Sequence, residues 1–361
     1  MTSDRLRRQL AVALALGPLL AGCTTSGSTE PGPGPSSRSS PAEPASTAAP
    51  ARVLEVAPDG DDEATGAPGD PFETLDHALG ELEAGDELVV RGGEYRESVN
   101  VEAREGTREA PVRVRAAPGE RPVVRGLLWL EQPTWWDVRG LDVRWDTRND
   151  SELHMVKVTG GDDWVLADAE LSDARGFAAL LVNGEPSRFL LTGLYVHDTR
   201  ESNDTNQDHL VYLNCGTGGG VLERSLLVGS PNGRAVKVGP ADSGGDPIAA
   251  ITIRYNTMVD NEGPSNVQLS GDTSEIVIER NIMDGAGEGR ASVTAFELDG
   301  DDNVVRDNIS WRSAGTLEAD QDGLEDGGGN TVLDPDLQAG SDERPYEPRE
   351  PKARDYGRWA P

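Results

Sequence analysis

His209, Tyr212, Arg234 and Lys237 crowd one stretch of a chain in which acidic residues outnumber basic ones by 64 to 33. Together these four types could run proton chemistry. A lysine whose ammonium is destabilised serves as a base, an arginine neutralises an anion forming beside it, and a phenol or imidazole returns a proton to a departing oxygen. The segment "GRAVKVGP" sets Lys237 between two valines, so two-residue alternation points the lysine away from the side that the valines take. Residue types alone leave Lys237 also readable as a solvated surface lysine. Chemistry would require the four side chains on one surface, and the question becomes which architecture could bring them there.

A repeat supplies the answer. "SRFLLTGLYVHDT", "GGVLERSLLVGS", "AAITIRYNTMVDN", "SEIVIERNIMDG" and "NVVRDNISWRS" share an apolar alternation, with Ser225, Asn256, Asn281 and Asn308 at one recurring place. Between them falls a second series, "LHMVKVTG", "AALLVNG", "HLVYLNCG", "GRAVKVGP", "SNVQLSG" and "TAFELDG". Units of two or three short strands cut by Gly, Asn or Asp, with no helical periodicity, predict parallel strands stacked at about 4.8 Å per coil. Stacked asparagines would satisfy one another's amides at a corner.

On the second series, Val156 and Val158, Val211 and Leu213, Val236 and Val238, Val267 and Leu269, and Phe296 and Leu298 are expected to point inward. Lys157, Leu181, Tyr212, Lys237, Gln268 and Glu297 then form one outward row, and Thr159, Asn183, Asn214, Gly239, Ser270 and Asp299 a second row two residues on. Side chains far apart in the chain thus become neighbours.

These units resemble the right-handed parallel β-helix of the pectin lyase-like superfamily, over roughly residues 53–338. "DPFETLDHALGELEAGDELVVRGGEYRE" is similar to the start of such proteins, where a helix plugs the first coil. It predicts a helix over about 71–84, with Asp70 as N-cap, Pro71 in the first turn, Glu73 completing a capping-box-like arrangement, and Phe72, Leu75, Leu79 and Leu82 on one apolar face. From about residue 339, "YEPREPKARDYG" resembles the irregular tail of these proteins. The fold class is therefore all-β, a single-stranded right-handed parallel β-helix with an N-terminal capping helix.

The resemblance implies a carbohydrate groove on the outward face of one sheet. Its sharpest form is a polysaccharide lyase acting by β-elimination on a uronic-acid-containing glycan, with Lys237 as base, Arg234 or a calcium ion as neutraliser, and Tyr212 or His209 as proton donor. Asn214, Gln268, Glu297, Asp299 and Lys157 are the expected substrate-binding residues. In alginate-specific members a lysine pairs with an arginine of a neighbouring coil; here Arg234 shares the coil of Lys237, and Gln268 takes the next place. Calcium, if used, would draw on Glu201, Asp204 and Asp208 of "ESNDTNQDH", which supplies hard oxygen ligands.

Two other readings stand beside the lyase. Glu297 and Asp299 alternate on one strand, about 7 Å apart by backbone rise, near the lower end of the separation of inverting glycosidases; this would make a glycoside hydrolase. A tethered acidic rod could also bind cell-wall glycan without catalysis. Trp135, Trp136 and Trp145 could each stack on sugar or fill structure.

The termini bear on location. Arg5, Arg7 and Arg8 precede the apolar "LAVALALGPLL", which ends in "LAGC" at Cys23. This resembles a lipoprotein signal, so residues 1–22 are expected to be removed and Cys23 lipidated. Residues 23–51, rich in Pro, Ser and Ala, read as a disordered tether, and 52–361 as the folded domain. The chain is thus expected to be exported, held on the outer face of the membrane, and monomeric. A formal charge of -31 argues against nucleic acid and anionic membrane surfaces as partners, and against anionic polysaccharide unless a local basic patch or a bound cation reverses the sign. With Cys23 taken, Cys215 has no disulfide partner and reads as a small buried hydrophobe.

Overall fold

The computed structural model describes residues 48–361 other than 147–153, 201–207, 241–244, 262, 288, 319–320 and 340–343. Short strands recur in a three-beat cycle along the chain, and each beat joins a different sheet. An eleven-stranded sheet runs from Val53–Val56 to Leu324–Gly328, and a ten-stranded one from Gly93–Tyr95 to Thr331–Val332. The third sheet carries the outward rows of interest. Its eight strands are β1 (Val99–Glu102), β2 (Leu128–Glu131), β3 (His154–Thr159), β4 (Ala178–Gly184), β5 (His209–Cys215), β6 (Val236–Val238), β7 (Val267–Gly271) and β8 (Val293–Leu298). Neighbours in the ladders are parallel and come from successive coils, as a parallel β-helix requires.

Register explains why the stack holds. Val211, Val236, Val267 and Val293 align coil on coil, as do Leu213, Val238 and Leu269, and all seven are buried in one continuous apolar core. Each fully buried side chain of this size contributes about 1.5–3 kcal/mol. Cys215 lies in the same core, and burial pushes its thiol well above the ordinary range.

One corner is built by polar residues. The backbone N–H of Leu194 donates to Ser225 Oγ (3.2 Å), that of Ser225 to Asn256 Oδ1 (3.0 Å), that of Asn256 to Asn281 Oδ1 (2.9 Å), that of Asn281 to Asn308 Oδ1 (3.0 Å), and that of Asn308 to Asn330 Oδ1 (3.1 Å). Each rung follows a left-handed residue, in turn Gly193, Arg224, Tyr255, Arg280, Asp307 and Gly329. A bend of that kind frees a backbone N–H, and the side chain of the next coil satisfies it.

The capping helix is shorter than expected and starts later. It spans Leu75–Gly80 with Thr74 as N-cap, whose hydroxyl accepts from the His77 N–H. Asp62 holds Thr74 in turn, while Asp70 accepts from the N–H and hydroxyl of Thr65 and so closes a preceding turn instead. Phe72 bridges Val56 in extended backbone, which rules out a helix from residue 71. The apolar face survives: Phe72, Leu75, Leu79 and Leu82 all enter the core.

The tail folds back. Arg224 donates to the carbonyls of Ala360 (2.6 Å) and Pro361 (3.3 Å), the Arg358 guanidinium to the Leu194 carbonyl (3.1 Å), and the Gly357 N–H to the Arg280 carbonyl (2.9 Å). The last residues therefore clasp three earlier coils.

Candidate functional site

Strand alternation delivers one row as expected. Asn100, Trp129, Lys157, Leu181, Tyr212, Lys237, Gln268 and Thr294 are in register across β1 to β8. Thr294 closes the row where Glu297 was expected. Val293 takes the inward place beside Val267, and Ala295 stands beside Leu269; the register shifts only after these pairs, between Ser270 and Gly271, where Glu297 is skipped. Phe296 consequently is 55% exposed rather than inward, Leu298 is only partly buried, and Glu297 sits at the irregularity with a left-handed φ of 46°. Neither Glu297 nor Asp299 joins the rows of Lys237, which removes the proposed carboxylate pair from this face.

A second feature brings His209 and Arg234 alongside. Met155 and Val156, Ala179 and Leu180, Leu210 and Val211, and Ala235 and Val236 are consecutive pairs whose members both lie in the core. Alternation breaks at each pair, and residues on either side of it come to share a face. His209 and Tyr212 meet with ring centroids 5.7 Å apart, Phe177 packs against both at 5.8 and 5.2 Å, and Lys237 Nζ lies 5.0 Å from the centre of the Tyr212 ring. Parity alone would have turned His209 inward with Val211.

The local electrostatics are unusual for this chain. Burial, then the nearby Arg234 charge, lowers the Lys237 pKa from the ordinary lysine value. Arg234 is itself lowered to about 10, by burial and by Arg290. His209 is held well below the ordinary histidine range by burial, with Lys237 and Arg234 adding to it, so its imidazole is neutral near pH 7. Its Nδ1 accepts the Arg234 backbone N–H at 3.2 Å, which leaves the proton on Nε2. That Nε2 is buried without a hydrogen-bond partner. Tyr212 is 1% exposed and Gln268 is buried, whereas Lys237, Lys157, Asn183 and Asn214 are half-buried.

Composition marks the same face. Strands β3 to β7 read HMVKVT, AALLVNG, HLVYLNC, VKV and VQLSG, without a single Asp or Glu. Only three of the 33 basic residues in the chain are lysines, and two of them, Lys157 and Lys237, stand in this row. Two of the four histidines, His154 and His209, stand at its border, both in register with Ala178. The eleven- and ten-stranded sheets instead pair arginine with carboxylate between coils, as in Arg115–Asp137 and Arg254–Glu223 of the first and Arg125–Glu94 and Arg312–Asp284 of the second. Trp129, His154 and Phe177 escape a motif-based reading; the scarcity of lysine and the acid-free strands beside them are the signals that locate them.

Other expected residues fall elsewhere. Trp136 is core, its Nε1 donating to the Arg104 carbonyl (2.8 Å), and Trp145 packs against the core. Glu201 and Asp204 lie outside the described residues, as does Cys23. Asp208 is buried, its backbone carbonyl accepting from Ser230 Oγ (2.8 Å) and its Oδ2 from Asn232 Nδ2 (3.3 Å). Among the described residues no three His, Cys, Asp or Glu side chains gather where they could hold a cation, and of the three residues expected to bind calcium Asp208 alone is among them.

No protein-family model matches the chain. It is 26% identical over 261 residues to pectate lyase PEL9 of Emericella nidulans, an alignment that covers 68% of this chain and 60% of that protein. Among solved structures, XylC in complex with xylose superposes with a TM-score of 0.55 at 11% identity, over 72% of this chain and 67% of that one. Pectate lyase Pel9A does so with a TM-score of 0.50 at 12% identity, over 80% and 83%. The architecture shared with these structures is the parallel β-helix.

Proposed function

We propose that the chain is a polysaccharide lyase that cleaves a uronic-acid-containing glycan by β-elimination on the face of β3 to β7. The observation that carries this reading is the acid-free strip itself: on a chain of net charge -31, it gathers Lys237, Arg234 and Lys157 where an anionic polymer could lie. The local patch reverses the sign that the whole-chain charge sets. The likeness to pectate lyase PEL9 supports the same substrate class.

In this reading Lys237, its pKa lowered by burial, takes the proton from the carbon next to the sugar carboxylate. The electron pair forms the new double bond as the bond to the glycosidic oxygen breaks, and that oxygen takes a proton from Tyr212 or from His209 Nε2. A neutral imidazole is a weaker acid than a phenol, so in this reading the Tyr212 hydroxyl gives up the proton while His209 Nε2–H stabilises the departing oxygen by a hydrogen bond. Arg234 offsets the added negative charge on the carboxylate. Gln268 and Asn214, in neighbouring coils, supply amide hydrogen bonds. The protein is further proposed to act at the outer face of the membrane, tethered through Cys23.

Incubating the purified chain with polygalacturonate, alginate and neutral glycans, with and without calcium, tests the assignment. Ultraviolet absorbance of a conjugated uronate together with new reducing ends is expected. Reducing ends without absorbance would indicate hydrolysis, and neither signal would indicate a binding protein.

A further inference from the structure

A second polar centre lies three coils from the first, where the acid-free strip meets the strand of Trp129. Trp129 Nε1–H, which can only donate, gives its hydrogen to Thr159 Oγ1 at 3.0 Å. Thr159 must then spend its own proton elsewhere, and it donates to Asn183 Oδ1 at 2.8 Å. This relay fixes the Asn183 amide with its oxygen toward Thr159 and its two Nδ2 hydrogens turned away from it. No hydrogen bond within the described residues uses those hydrogens. Lys157 Nζ lies 3.7 Å from the centre of the Trp129 ring, and burial lowers its pKa against the opposing pull of the Glu131 carboxylate, which stands in register with Thr159. It forms no ion pair with any described residue. Leu181, half-buried, is in register with Lys157 and lies two residues before Asn183, so it separates the two donors.

We propose that Lys157 and the Asn183 amide form a distal subsite that takes a carboxylate-bearing sugar of the same polymer. This deepens the lyase reading and rests on it. Lys157 pairs with the carboxylate, Asn183 donates to a carboxylate or hydroxyl oxygen, and Leu181 floors the apolar face of the ring. Trp129 and Thr159 are positioning residues that hold the two donors in place. A cation–π contact would by itself account for where Lys157 lies, but it leaves the oriented, unused amide unexplained. The row Lys157, Leu181, Tyr212, Lys237 spans three coil steps, about 14 Å, and a sugar unit is about as long as one step. Occupying both centres therefore takes a chain of at least four units, so recognition is of polymer rather than of a terminal disaccharide.

The test is calorimetric binding of oligogalacturonates of two to six units to the full chain carrying Lys237→Ala, which prevents turnover. Affinity is expected to step up by about tenfold once the oligomer reaches four units, the contribution of a charge-assisted contact. Lys157→Gln should flatten that step, Lys157→Arg should keep most of it, and Thr159→Val should reduce it by releasing the amide. Because the readout is a ratio between oligomer lengths within one variant, a general loss of fold would not imitate it. No step in the Lys237→Ala chain, or a step that survives Lys157→Gln, overturns the subsite and leaves the lyase reading standing. Failure to bind any oligomer while carrying intact Lys157 overturns that reading and the subsite with it.

Discussion

The backbone N–H of Arg234 donates to Nδ1 of His209 across two adjacent coils, at 3.2 Å. A single contact thereby selects the imidazole tautomer, leaves the proton on Nε2, and ties His209 to Arg234, the two residues proposed above to serve the leaving oxygen and the substrate carboxylate. The ring stays neutral because burial, Lys237 and Arg234 all resist protonation.

Turnover should depend on pH through Lys237 and Arg234. Only unprotonated lysine is a base, so the rate is expected to rise with pH as Lys237, its pKa lowered by burial, loses its proton, while loss of the Arg234 charge near 10 opposes the rise. Lys237→Ala should remove the rising limb and lower kcat by about 10²–10⁴ with little change in thermal stability. A retained limb in the pH–rate profile would take lysine out of the mechanism.

Arginine and lysine are not interchangeable at position 234. Arg234→Lys keeps a positive charge but loses the planar fork that grips a carboxylate at two points. Its kcat should fall by about 10²-fold, with Arg234→Gln falling further. Steady-state kinetics on polygalacturonate, with the melting temperature as control, checks the order of the two variants.

Histidines should give stability two opposing slopes with pH. His154 is lowered to about 4 by burial and then by Lys157, and His209 is lowered as well. A depressed pKa means the unfolded chain binds the proton first, so stability is full above pH 6.5 and is lost as pH falls toward 4. His197 lies between Glu170 (3.3 Å) and Asp198 (2.8 Å), and these contacts raise its pKa against the cost of burial. Its contribution is full below pH 6.5 and lost as pH rises through the raised value. Melting temperatures across pH 4–8 for His154→Gln and His197→Gln should flatten opposite sides of the curve.

The asparagine corner predicts a gradient along its length. Asn281 is buried and accepts from Asn256 N–H and Nδ2 while donating to the carbonyls of Ile253 and Glu279. Asn281→Ala orphans several buried groups and should cost about 2–4 kcal/mol in denaturant unfolding. Asn330, at the partly open end of the ladder, should cost about 1 kcal/mol or less when replaced. Equal costs at both positions would refute the account.

Much of this was legible in sequence because a strand alternates strictly and a coil repeats its register. Tyr212, Lys237 and Gln268 fall where alternation puts them, and Asn256, Asn281 and Asn308 stack as their shared place implies. Glu297 misled because the apolar residues of "VTAFELDG" can be aligned in more than one frame, and the pairing of Val293 with Val267 chooses between them. His209 was placed with its neighbours through proximity in sequence, yet the cause lies in Leu210 and Val211 both entering the core, which no periodicity reveals. The capping helix slipped because Thr74, anchored by Asp62 from twelve residues away, outcompetes Asp70 for the cap.

The returning tail changes what kind of polymer this is mechanically. An ordinary solenoid answers to nearest neighbours and can peel from an end one rung at a time. Here Ala360 and Pro361 are hooked by Arg224, and Arg358 reaches Leu194, so unzipping from the carboxyl end must first open a clasp that encloses a segment of more than a hundred residues. The scaffold beneath Lys237 is thereby latched from outside, and its coils should melt as one body.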